Sequence, residues 1–221
     1  SLKYTGEFSP QNNKFKDCII EKIFSNFDLE KPNYAFTIKK NIPIMSGLGS
    51  ASSNAAAVIR ILEKLNYLNL KKKNFAEIGA DVPFFINNHD SLIREIGNIA
   101  IRQSFPKYYF LLIKPVHNCS TKEMYNLIKS EEINYNENHD TDVINDHDNG
   151  NDFEPILEKK SNEVSNLLKF MRSLPDAIFA RLTGSGSCIF SVFESKKIAE
   201  DSLSILTTRF PYIWAKVVEN N

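Results

Sequence analysis

The chain has 221 residues, with 27 Lys and Arg set against 27 Asp and Glu. That balance argues against a dedicated nucleic-acid coat, which carries a basic excess, and gives no support for an anionic-membrane binder. At roughly 100–200 residues per domain the length allows one large domain or two small ones, with enough chain for a buried core.

Hydrophobic residues at 42% and charged residues at 24% are ordinary for a globular protein. Cys18, Cys119 and Cys188 are far apart and form no C-x-x-C pair, so neither a zinc ribbon nor a disulfide framework is indicated. A reducing cytoplasm is the expected compartment. Tyr108 to Ile113 is among the longest apolar runs, far short of the roughly 18–20 residues that span a bilayer. The front reads as no signal peptide. It opens on Ser1, so a processed, truncated or partial product is expected.

In chain order, Tyr34 to Ile38 alternates like a strand. Pro43 to Ala57 then reads P-I-M-S-G-L-G-S-A-S-S-N-A-A-A, and a helical stripe of Ala55, Ile59, Leu62, Leu65 and Leu68 follows over residues 52–68. Small residues at Gly47-Leu48-Gly49-Ser50-Ala51-Ser52-Ser53 let a backbone approach an anion. Free N–H groups at a helix start favour phosphate. Ser52 and Ser53 can cap the helix or donate to a phosphate or Mg2+. No Gly-Lys-Ser/Thr closes the stretch and Ser52 stands at the third glycine of a G-x-G-x-x-G, so a plain strand-to-helix turn with a serine cap stays open beside phosphate binding. Ala51 fits such a loop only at negative φ.

Gly79-Ala80-Asp81-Val82-Pro83-Phe84-Phe85 sets a carboxylate between a flexible pair and a rigid proline. Asp81 can serve as a general base or as a turn or cap residue. The composition changes near residues 103–107, where Pro106 precedes a new strand, which places a domain boundary between 1–105 and 106–221. Tyr108 to Ile113 reads as a buried strand ended by Pro115. Ser120-Thr121 opens a short helix over Lys122 to Lys129, with Tyr125 about one turn on. His89 and His117 have no partner at ligand or triad spacing.

Glu131 to Asp152 is rich in Asn, Asp and Glu and reads as a solvated loop. An EF-hand aligned on Gly150 fails, because Asn145 and Ile156 stand where acidic residues are needed. Val164 to Leu174 reads as a helix ended by Pro175. Strands Ala177 to Leu182 and Cys188 to Phe193 flank the turn Thr183-Gly184-Ser185-Gly186-Ser187, open to a ligand or a simple hairpin. Lys196 to Phe210 reads as an amphipathic helix and Ile213 to Val218 as a closing strand. The irregular mixture favours α+β.

Pro43 to Ala57, Gly79 to Phe85 and Thr183 to Cys188, in this order, resemble the GHMP kinase superfamily. Gly79 to Phe85 is the most specific piece. Pro115 with Ser120-Thr121 and Tyr125, and Asn151-Asp152-Phe153-Glu154, also fall where the family has similar pieces. The resemblance runs from about Gly6 to the C-terminus.

It implies two α+β domains, a ribosomal-S5-like N-terminal domain and a ferredoxin-like C-terminal domain, with the active site in the cleft between them. It implies ATP on the loop Gly47, Leu48, Gly49, Ser50, Ala51, Ser52 and Ser53, with Pro43 before it and Lys40 near the adenine. Mg2+ at Ser52 and Asp81 as the catalytic base follow in the same way. The implied acceptor is the small molecule 4-diphosphocytidyl-2-C-methyl-D-erythritol, of the non-mevalonate isoprenoid pathway. Tyr125 would lie against its cytosine, Thr121 near the reacting end, and Gly184, Ser185 and Gly186 would border the cleft. No nucleic acid and no membrane are expected as partners, and a monomer or homodimer is expected.

The alternatives are another GHMP kinase, acting on mevalonate, homoserine or a sugar, or a nucleotide-binding relative with impaired catalysis. Family members open with an Ala-Lys-x-Asn-Leu strand that supplies a lysine beside the catalytic aspartate. That pattern is not found here, so the N-terminal strands are read as missing and the 221-residue chain is expected to be nearly inactive. By comparison with the family and with a normal helix-plus-turn length, the interval from Leu65-Asn66 to Gly79 is also about seven residues shorter than usual, and a missing segment is expected there too.

Overall fold

The computed structural model describes residues 1–10, 12, 18–29, 34–69, 73–94, 99–130 and 150–220. The chain divides into two compact units, one of residues 1–44 and 49–105, the other of residues 45–48 and 106–221.

In the first unit, strand β1 (Leu2–Thr5) pairs in parallel with β2 (Phe36–Lys39). Helix α1 (Ile19–Asn26) buries Ile20 and Ile23, and α2 (Ser50–Lys64) buries Ala55, Ala56, Val58, Ile59 and Leu62. With Tyr4, Phe27, Leu68, Phe75, Ile78 and Val82 all of these side chains but Ala56 form one apolar cluster. Burying each large aliphatic side chain contributes about 1.5–3 kcal/mol. Phe75–Glu77 makes a short 3₁₀ turn, α3 (Val82–Asn87) follows it, and β3 (Ser91–Arg94) pairs antiparallel with β4 (Ile99–Arg102).

The sequence stripe carried α2 on to Leu68, but the helix stops at Lys64. Asn66 takes φ of 60°, Asn66 N–H donates to Glu63 O at 2.9 Å and Tyr67 N–H to Leu62 O at 2.9 Å. This is a Schellman stop, in which a left-handed residue satisfies the last carbonyls. Leu65 is left 39% exposed, while Leu68 returns to the core from beyond the stop.

The second unit holds β5 (Tyr109–Lys114), α4 (Thr121–Ser130), α5 (Phe153–Lys160), α6 (Asn162–Arg172), β6 (Phe179–Leu182), β7 (Ile189–Phe193), α7 (Lys196–Arg209) and β8 (Trp214–Glu219). Its sheet runs β6-β7-β5-β8 with every pair antiparallel. The unit's first strand thus lies inside the sheet between its third and fourth, the ferredoxin-like order. Leu111 and Ile113 of the central β5 are fully buried, in a cluster with Leu157, Leu168, Met171, Phe193 and Leu206 from α5, α6, β7 and α7. Ser161 Oγ accepts from Val164 N–H at 3.3 Å and starts α6.

Residues 131–149, most of the acidic stretch read as a loop, lie outside the described residues. The division at residue 105 put Met45 to Leu48 with the first unit, but these four residues belong to the second. The cause is hydrogen bonding. Ser187 N–H donates to Met45 O and Cys188 N–H to Ser46 O, both at 3.2 Å, and Thr183 Oγ1 donates to Ser46 O at 2.8 Å.

Candidate active site

The residues singled out by the sequence fall into two groups, one in each unit. In the first unit, Gly49 is the N-cap of α2 at φ of 65°, and Ser53 N–H donates to Gly49 O at 2.9 Å. Ser50, Ala51 and Ser52 therefore form the helix's first turn, whose N–H groups have no intrahelical acceptors. The serine cap expected at Ser52 or Ser53 is not formed. A left-handed glycine takes the cap position and moves the helix start to Ser50, so both hydroxyls sit inside the helix. Ala51 is helical and is not among the residues of positive φ.

Lys40 follows β2 directly and is 7% exposed. Its N–H donates to Thr5 O at 2.7 Å and its carbonyl accepts from Phe8 N–H at 3.0 Å, which fixes the side chain's origin. Its Nζ donates to Ser50 Oγ at 3.3 Å. Burial pushes the Lys40 pKa down. Pro43 is buried. A cation and a helix start thus meet at Ser50, the combination that holds an anion.

The Gly79–Asp81 turn lies against the same helix end. A side-chain carbon added at Gly79 would sit 3.8 Å from Ser52 Oγ and 3.5 Å from Val82. Asp81 is exposed and is the N-cap of α3 without a side-chain cap bond. The proline expected to stiffen the run is Pro83, in the first turn of α3, where a missing N–H is harmless. The α3 turn sets Phe85 over Gly49: a Cβ there would come within 2.7 Å of the Phe85 ring. Arg60 of α2 donates from Nη1 to Phe85 O at 2.6 Å and ties the two helices.

In the second unit, the loop leading to α4 is pinned from two sides. Lys114 Nζ donates to Pro115 O at 2.7 Å, His117 O at 3.0 Å and Asn118 Oδ1 at 3.0 Å. The Glu163 carboxylate accepts from Val116 N–H at 2.8 Å and His117 N–H at 2.9 Å. Ser120 Oγ accepts from Glu123 N–H at 3.2 Å and caps α4. Thr121 Oγ1 and Ser185 Oγ then share a hydrogen bond of 2.9 Å. Tyr125 is 54% exposed and meets Phe153 at a ring separation of 5.1 Å and 86°, the edge-to-face geometry aromatic pairs prefer. The structure thus brings Thr121, Ser185 and the Gly184–Gly186 turn together.

Sequence reasoning gave Asn151 and Glu154 no role. Asn151 Nδ2 donates to Leu182 O at 2.9 Å and Gly184 O at 2.8 Å, and Glu154 Oε2 accepts from Leu182 N–H at 2.7 Å. The signal was present. Asn151 Oδ1 accepts from Phe153 N–H two residues on at 2.9 Å, the turn that Asn favours before a helix.

The cysteines are free and buried. Cys119 Sγ donates to Ser185 O at 3.1 Å. Burial raises its pKa and pushes that of Cys188 up to about 12, so the Cys188 thiolate is scarcer at pH 8 than that of an ordinary thiol. Alkylation of the native protein at pH 8 is expected to leave Cys18, Cys119 and Cys188 unmodified, with labelling only after denaturation. Peptide mass spectrometry reads this directly, and rapid native labelling of Cys188 would contradict it.

The first unit thus mixes helix and strand with Lys40 at a helix start, and the second has the ferredoxin-like strand order. The family model "GHMP kinases N terminal domain" matches residues 13–89 and "GHMP kinases C terminal" matches residues 136–211, between them well over half the chain. The chain belongs to the GHMP kinases.

Among curated relatives, it is similar to the 4-diphosphocytidyl-2-C-methyl-D-erythritol kinase of Buchnera aphidicola subsp. Acyrthosiphon pisum, at 34% identity over 82% of this chain and 63% of that protein. It is similar to the enzyme of the same name from Pelagibacter ubique, at 28% identity over 96% of this chain and 79% of that protein. The chain spans 63% and 58% of the length of the Buchnera and Blochmanniella relatives.

A crystal structure of 4-(cytidine 5'-diphospho)-2C-methyl-D-erythritol kinase matches with a TM-score of 0.68 at 20% identity, covering 100% of this chain and 83% of that one. Homoserine kinase from Cytophaga hutchinsonii matches at 0.57 and 15% identity, covering 100% of this chain and 82% of that one. At such identities these two matches establish the fold alone.

Proposed function

We propose that this chain is the ATP- and acceptor-binding part of a 4-diphosphocytidyl-2-C-methyl-D-erythritol kinase, which transfers the γ-phosphoryl group of ATP to the acceptor's 2-hydroxyl. The observation that carries the reading is Tyr125, half exposed and braced edge-on by Phe153 in a chain whose curated relatives bear that name. A braced, exposed aromatic offers a stacking face for a nucleobase such as cytosine.

Residues 1–105 would form the ATP-binding domain and 106–221 the acceptor domain, with Met45–Leu48 shared into the latter. The triphosphate fits Gly49 to Ser53: small residues, a helix start and a buried ammonium at Lys40. Gly47 and Leu48 would continue that loop, and Lys40, expected near the adenine, would instead face the triphosphate beside Ser50. Among the described residues no group of three or more His, Cys, Asp or Glu side chains converges. Mg2+ would be held mainly by phosphate oxygens and water, with Ser52 Oγ as the protein's contribution. When bound, the ion spreads phosphoryl charge.

Asp81 would accept the proton of the attacking hydroxyl. Thr121 and the Gly184–Ser185–Gly186 turn would hold the acceptor's reacting end in line. Among the described residues no helix is long and apolar enough to cross a membrane, and buried free thiols support the cytoplasm as the compartment.

The test is ADP release from ATP and Mg2+ by the complete gene product, with 4-diphosphocytidyl-2-C-methyl-D-erythritol as acceptor. Turnover is the expected result. A folded, ATP-binding product that ignores this acceptor but phosphorylates homoserine or mevalonate would move the assignment to those GHMP relatives. Tyr125→Ala is expected to raise the acceptor KM about tenfold to a hundredfold, since base–aromatic stacking is worth about 1–3 kcal/mol. An unchanged KM would remove Tyr125 from the site.

A further inference from the structure

The turn Thr183 to Ser187 is held by its carbonyls. Those of Leu182 and Gly184 accept from Asn151 Nδ2 at 2.9 and 2.8 Å, and that of Ser185 from Cys119 Sγ at 3.1 Å. A peptide unit is planar, so fixing its C=O fixes the N–H on its other end. Of the three units tied in this way, two have partners for their N–H within the hairpin. Thr183 N–H donates to Cys188 O at 2.9 Å and Gly186 N–H to Thr183 O at 2.7 Å. The third is Gly184–Ser185, whose carbonyl Asn151 holds and whose N–H belongs to the residue hydrogen-bonded to Thr121. Asn151 also sets the position of Phe153, whose N–H donates to Asn151 Oδ1 and whose ring braces Tyr125. Glu154, at the same corner, takes Leu182 N–H and pairs with Arg172 of α6. One corner, Asn151 to Glu154, therefore supports both pieces of the acceptor site.

We propose that Asn151 is a positioning residue for the acceptor. Its carboxamide orients the Gly184–Ser185 peptide so that the Ser185 N–H is presented to an acceptor oxygen, and its backbone turn sets the Phe153 brace behind Tyr125. This rests on the acceptor reading above.

Asn151→Asp is nearly isosteric. It keeps the oxygen that receives Phe153 N–H, but puts a second oxygen against the two carbonyls in place of their donor. In the complete gene product, the acceptor KM is expected to rise about tenfold, with the ATP KM within about twofold and kcat within about threefold of wild type. Hydrogen exchange of the bonded Thr183, Gly186 and Ser187 amides is expected to quicken, with that of α7 unchanged. If the Asp variant does not fold, Asn151→Ala is read in the same way.

Equal rises in both KM values, a change confined to kcat, or unaltered exchange in the turn would each overturn the inference. If the wild type itself does not turn over this acceptor, the kinase assignment fails, and the exchange measurement alone decides the role of Asn151.

Discussion

Asp81→Asn in the complete gene product is expected to lower phosphoryl transfer to the acceptor by about 10²–10⁴-fold, the usual contribution of a positioned general base. The ATP KM is expected to stay within about twofold, because the triphosphate is assigned to the α2 helix start and Lys40 and not to this carboxylate. Stability is expected to change by less than about 0.5 kcal/mol, as for surface substitutions away from special contacts. Asp81 is exposed and makes no side-chain cap bond to α3, so the amide disturbs no packing. These three expectations separate the proposed role from a structural one. A cap residue would have lowered the melting temperature and spared kcat; a base does the reverse. Unchanged turnover with the amide in place would leave Asp81 as the first residue of a turn and return the search for a base to the rest of the chain.

Much of this organisation could be read from local pattern, and the failures have physical causes. The α2 stripe, the buried β5 and the hairpin of β6 and β7 follow from periodicity and turn chemistry, which are encoded within a few residues. The α2 boundaries did not follow. At its start a left-handed Gly49 displaced the serines from the cap, and at its end Asn66 outweighed an apolar spacing that continued to Leu68. Both outcomes turn on backbone φ, which hydrophobic spacing does not report. Helix α5 and its corner were missed because Asn151 acts across 31 residues on Leu182. The Asx turn hinted at a helix start but not at that distant partner. Similarly, Met45 to Leu48 looked like the lead-in to α2, whereas three hydrogen bonds from the β6–β7 turn bind it to the second unit. The motif's residues were recognisable as a set; which unit held each of them was a tertiary property.

That anchorage makes Gly47 the most demanding position in the loop. It sits at φ of 71°, where an L residue costs about 1–2 kcal/mol. A Cβ there would fall 2.1 Å from Thr183 O, 2.8 Å from Thr183 Oγ1 and 2.9 Å from Gly186 N. Two of those atoms are backbone of a turn whose carbonyls are already engaged, so relief requires Met45 to Leu48, the strap before α2, to lift away from the hairpin. Gly49 makes an instructive contrast. Its φ of 65° is similar, but its added Cβ would meet only the end of the Phe85 ring, at 2.7 Å, and a side chain can rotate aside. Gly47→Ala is therefore expected to destabilise by about 2–5 kcal/mol, joining left-handed strain to overpacking of about 1–3 kcal/mol. Gly49→Ala is expected to lose about half as much. Urea denaturation of both variants checks the order. The Ala at 47 should also release Ser46 O from Thr183 Oγ1, and the ATP KM is expected to rise about tenfold as the loop loses its fixed start. Equal stability losses at the two glycines would show that the Thr183 turn yields as easily as a phenyl ring, and the strap would then be a passive linker.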